Sequence, residues 1–145
     1  LGGGAEAPFK RYATALVKRR LHQHRFRELV VGAYREQCTV CRLHHSELLD
    51  AAHILEDKDE RGKPEVPNGL ALCKIHHCAY DANILGITPD LRIQVRADVL
   101  AEIDGPMLKH GLQEMHGRLI TVPSQTALKP RGEYLAARFE RFKAA

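Results

Sequence analysis

Two pairs of metal-ligating side chains stand out in the chain, Cys38-x2-Cys41 and Cys73-x2-His76. A two-residue gap lets both members of a pair converge on one tetrahedral ion, with thiolate sulfur about 2.3 Å from zinc. The stretch between the pairs can hold a strand, a loop and a second strand. In a reducing compartment such pairs favour metal over two disulfides or four free thiols. The expectation is a structural Zn2+, worth about 10–16 kcal/mol of apparent binding energy in finger peptides. His76, His77 and Cys78 compete for the fourth position. His76 keeps the two-residue gap and is the expected ligand, with Cys78, at a four-residue gap, the runner-up. His44 and His45 are expected as exposed loop residues.

Between the pairs lie His53, at the end of an apolar run, and Asn68, just before Gly69; His77 follows the expected ligand directly. A neutral imidazole with a pKa near 6.5 suits general-base work at neutral pH. Taken singly, these residues are ordinary: a lone His on a strand is more often a core residue, and Asn before Gly marks a turn. Their joint occurrence inside a zinc frame reverses those odds. CTVC at 38–41, AAHI at 51–54, NGLALC at 68–73 and HHCAYD at 76–81 resemble the HNH endonucleases in order and in separation. HQHRFRELVVGAYREQ, ANILGI, DGPMLKHGLQ and YLAARFERF are similar to the C-terminal nuclease region of McrA-like restriction enzymes, so the resemblance runs from about residue 16 onward.

That resemblance implies a ββα-metal (His-Me finger) core, two strands and a helix around a catalytic divalent ion, Mg2+ or Mn2+, separate from the zinc. By its match to the motif, His53 is expected as general base and His77 as a ligand of the catalytic ion. Asn68 is expected to hold the loop and orient the base. Many HNH enzymes place a metal-binding Asp directly before the first His, where this chain has Ala52, a variant familiar in the McrA-like group. Further coordination then falls to Asp81, Asp50, or phosphate oxygens and water. Strict strand alternation places Asp50 on the face of Ala52 and not of His53. The resemblance also implies metal-dependent DNA cleavage in a restriction system, an upstream reader of the SRA type that recognises modified cytosine, and a bacterial cytoplasmic location. Ala52 keeps an alternative alive, a zinc-stabilised DNA-binding module that no longer cleaves. A zinc domain serving protein assembly is the third reading, and a homodimer is left open.

These residues need a scaffold. The chain is 145 residues long, enough for one domain with a real core, and 44% hydrophobic against 28% charged, which argues against disorder. No apolar run approaches the roughly 18 residues of a membrane span, and no basic-then-apolar leader opens the chain, so no membrane partner is expected. Residues 1–37 carry eight Lys and Arg against three Asp and Glu, whereas residues 38–145 carry fourteen against fifteen. The positive excess therefore sits at the N-terminal end. Lys18, Arg19, Arg20, Arg25 and Arg27 are candidate phosphate contacts, the plainer reading being a solvated helix face.

The fold class is α+β, divided into a flexible lead-in at 1–7, a basic helical region at 8–37, a zinc-stabilised core at 38–83 and a packed extension at 84–145. Phe9, Tyr12, Ala13, Leu16 and Val17 recur at helical spacing, and Phe26, Leu29, Val30, Ala33 and Tyr34 repeat it on a different side. That predicts two helices, or one bent near His22-Gln23-His24. Strands are expected over 47–55, 68–72, 92–95 and 119–122, and helices over 74–83, 107–115 and 133–142.

Overall fold

The protein is described by a computed structural model covering residues 3–145. The first element is one helix, α1 (Gly3–Ala33), in place of the expected pair of helices or bend. Nothing in His22-Gln23-His24 breaks a helix, and Pro8 is accommodated in its early turns. Residues 3–7, expected as a lead-in, are already helical, while residues 1 and 2 lie outside the described residues. In the last third of α1, Phe26, Val30 and Val31 are buried, as is Tyr34 just beyond it, whereas Phe9, Tyr12, Val17 and Leu21 are exposed.

The packed end of α1 lies against a hairpin of β1 (Leu49–His53) and β2 (Gly69–Cys73), antiparallel, with Leu49 opposite Cys73 and His53 opposite Gly69. Gly69 is required there, because a Cβ would stand 2.6 Å from a Val30 methyl and 3.0 Å from the Phe26 ring. The Tyr34 hydroxyl donates to the Gly69 carbonyl at 2.9 Å in the buried interior. β2 runs directly into α2 (Lys74–Asp81), and Cys73 caps that helix by accepting from the His76 amide. Two strands and a helix thus stand in the order the sequence implied.

A second antiparallel hairpin pairs β3 (Leu85–Ile87) with β4 (Ile93–Val95). The sequence does not announce β3, since three residues are too few to show alternation. The strand expected over 119–122 is reduced to an isolated bridge between Arg92 and Leu119. After a short turn of helix, α3 (Ala97–Leu100), the helix expected over 107–115 is wound as a π-helix, Met107–Leu112, followed by a 3-10 turn, Gln113–Met115. Finally α4 (Gly132–Ala144) lies on β3. A Cβ at Gly86 would meet the Phe142 ring at 2.6 Å, so the glycine sets how closely α4 approaches.

Candidate active site

Four donor atoms, from Cys38, Cys41, Cys73 and His76, lie within 4.8 Å of one another. The His76 Nδ1 is 3.2 Å from the Cys73 sulfur and 3.7 Å from the Cys38 sulfur. Edges of this length surround a tetrahedral ion with bonds of about 2.0–2.3 Å, so the donor set fits zinc. Local structure explains the convergence: Cys73 and His76 share the first turn of α2, and Cys38 and Cys41 sit in the turn after α1. All four cysteines are free thiols. Hydrogen bonds from Cys38 and Cys41 hold the Cys73 thiol far below the ordinary range, which leaves thiolate charge for a cation to balance. The second His76 nitrogen, Nε2, donates to the Gly111 carbonyl at 2.6 Å, which reserves Nδ1 for the metal. Cys78, the runner-up, is exposed and outside the cluster; two residues past His76 it points to another side of the helix.

His53, His77, Asp57 and Asp81 line a separate cleft of about 390 Å³. The His53 ring stacks on Phe26, centroids 4.4 Å apart, and its Nε2 stands 3.8 Å from Asp57. Burial drives the His53 pKa below its usual value, against the opposing pull of Asp57 and Asp81, so the ring is neutral at pH 7. His77 is held from two sides: Nδ1 is 2.9 Å from Asp50, and Nε2 is 3.2 Å from Asp81, one turn further along α2. Burial opposes ionisation of Asp50, but hydrogen bonds from His77 and Lys74 outweigh it and hold the carboxyl below its usual range. Asp50 does not itself line this cleft, as alternation expects, but touches it through His77. The register places it opposite Leu72, beside the start of α2, where Lys74 and His77 share one face and both reach it. Ala52 is fully buried, so that position presents no side chain to the cleft.

Asn68 is 1% exposed. Its Oδ1 accepts from the Leu55 amide at 2.9 Å, and its Nδ2 donates to the carbonyls of Leu55 and Lys63, each at 3.0 Å. These bonds pin both ends of the loop that carries Asp57, rather than reaching the His53 ring.

The family model described as HNH endonuclease matches residues 38–88, which span both constellations. Residues 38–88 form an HNH domain. Among solved structures, a modification-dependent TagI restriction endonuclease has the same fold around it, with a TM-score of 0.56 and 20% identity over 81% of this chain. The chain spans 37% of the length of that enzyme. No curated protein matches the chain.

Around the HNH domain the expected phosphate contacts divide. Lys18 and Arg19 line a cleft of about 410 Å³ that ends at His53, together with His22 and Phe26. Arg20 and Arg25 are exposed and do not line it. Arg27 is tied inward instead, donating to the carbonyls of Ser46 and Leu49. Sequence reasoning missed Arg138. It is 4% exposed, with Nη1 donating to Ile54 at 3.0 Å and His53 at 3.3 Å, and Nη2 donating to Tyr80 at 3.2 Å. Its Nη2 also lies 3.4 Å from Asp81, and the guanidinium covers the Tyr80 ring at 4.1 Å. One side chain from α4 thereby joins the His53 end of β1 to the last turn of α2.

Proposed function

We propose that this chain is the nuclease part of a metal-dependent DNA endonuclease, of the modification-dependent restriction type, acting in the bacterial cytoplasm. The observation that carries the reading is the cleft lined together by His53, His77 and Asp81, apart from the four-donor cluster. His77 Nε2 and Asp81 stand 3.2 Å apart, so the two together would hold a divalent ion. Phosphate oxygens and water would supply the remaining ligands. When bound, Mg2+ or Mn2+ supplies Lewis-acid stabilisation at the scissile phosphate and assists the departing 3′-oxygen.

The remaining steps belong to the chain. His53 takes a proton from the attacking water, and Asp57 stabilises the imidazolium that forms. Phe26 fixes the plane of the ring and keeps one face dry. Asn68 holds the loop that presents Asp57, and Asp50 orients His77 so that Nε2 faces outward. Lys18 and Arg19 guide the backbone toward His53, largely without regard to sequence. Specificity would then come from a reader domain upstream.

Nicking of supercoiled plasmid is the direct test. Cleavage is expected with Mg2+ or Mn2+ and abolished by EDTA, and His77→Ala should raise the ion concentration required. A pure, zinc-loaded chain that leaves plasmid intact with either ion would reduce the molecule to a zinc-stabilised DNA-binding module.

A further inference from the structure

A third cleft, of about 360 Å³, opens beside the zinc turn and is lined by Cys41, Arg42, Arg92, Met115 and Arg118. Three arginines line it, and no carboxylate does. This is a marked local excess, because residues 38–145 carry fewer basic than acidic side chains. Among the described residues, neither Arg42 nor Arg118 makes a guanidinium hydrogen bond or ion pair. Glu114, whose charge reaches Arg118, is already paired with His110 at 3.0 Å. Arg92 donates one Nη1 bond to the Gly117 carbonyl at 2.9 Å, leaving most of its fork unused.

The backbone holds these groups in place. Arg42 takes a left-handed conformation, φ +64°, closing the zinc turn with its amide on the Cys38 carbonyl at 2.8 Å. Arg92 is fixed by its bridge to Leu119, and Arg118 precedes that residue. Unpaired like charges held together on ordered backbone are costly unless an anion joins them, and a planar fork matches phosphate oxygens.

We propose that the Arg42–Arg92–Arg118 cleft binds a backbone phosphate of DNA, as a second contact separate from the α1 cleft at His53. The proposal rests on the nuclease reading above. The zinc turn adjoins the Leu49–Cys73 end of the first hairpin and His53 marks the other end. Four residue steps along the strand separate those ends, about 13 Å. The two clefts therefore take different phosphates and lengthen the footprint.

The test is DNA binding by the whole chain in a His53→Ala background, without added divalent ion, followed by fluorescence anisotropy across a KCl series. Joint Arg42→Gln and Arg118→Gln changes should weaken binding on every sequence. They should also flatten the slope of log K against log salt by about 1.8, or 0.9 for each arginine that no longer neutralises a phosphate of B-DNA. Zinc content should stay at one per chain, and Arg42→Lys with Arg118→Lys should restore most of the slope. With His53 intact, the DNA concentration required for cleavage should rise.

An unchanged slope overturns the proposal. Loss of zinc in the glutamine variant also overturns it, assigning the guanidiniums to the charge of the thiolate centre. Calorimetry with inorganic phosphate alone separates the sources: binding that the glutamine variant abolishes, with an unchanged DNA slope, marks a free-anion site and overturns the assignment to DNA. A parent that binds DNA but never cuts fails the nuclease reading and leaves this assignment standing.

Discussion

His53 rests on Phe26 with its free edge toward Asp57, and that setting fixes how its chemistry should respond to acid. Burial lowers its pKa from the ordinary 6.5. The base form is therefore complete above that value and is lost as pH falls through the lower, folded pKa. Cleavage rate against pH should show an acid limb with its midpoint below 6.5. The same depression means that protonation disfavours the folded state, so stability should decline over that window too. His53→Ala should leave zinc content and DNA affinity nearly intact and remove the limb, with cleavage down by about 10²–10⁴-fold. A mutant that keeps both the rate and the limb would show that another group takes the proton.

Among the elements, α4 makes the contribution least visible in the sequence. Arg138→Met would leave the carbonyls of His53, Ile54 and Tyr80 without their donor, at a cost of about 2–5 kcal/mol. Urea denaturation should show that loss, and Arg138→Lys should recover only part of it, since one ammonium cannot span both elements. Equal stability of Arg138→Met and the parent would remove α4 from the site. The four-donor cluster is legible because two-residue gaps encode a local turn, whereas the expectations for His53, Asn68 and His77 rest on a motif resemblance. Arg138 lies 85 residues from His53, and Gly111 lies 35 from His76, so no spacing announces either contact. Strand alternation discounts Asp50, because it knows nothing of the helix following β2. The inward turn of Arg27 is equally hidden, because its charge reads the same whether it faces phosphate or the Ser46 carbonyl.

At the scale of the molecule, zinc is large against the total. A domain of this size is stable by about 5–15 kcal/mol, and a structural zinc site contributes a comparable amount. Chelation should therefore unfold the chain cooperatively rather than loosen one corner, with loss of helical circular dichroism and recovery on adding Zn2+ back. Cys73→Ser should behave like the chelated protein. Retention of a cooperative melt after complete zinc removal would show that the apolar core suffices. A zinc ion at the cluster would tie the turn after α1 to α2 through Cys38 and Cys73, while His76 reaches on to Gly111 and Arg138 reaches back to Ile54, beside His53. The signature residues 38–88 are thus propped from both sides by segments outside them. Portability follows from that: residues 38–88 grafted alone into a foreign host would bring the recognisable letters without the braces that aim them. A transplantable piece of this fold has to begin within α1 and run through α4.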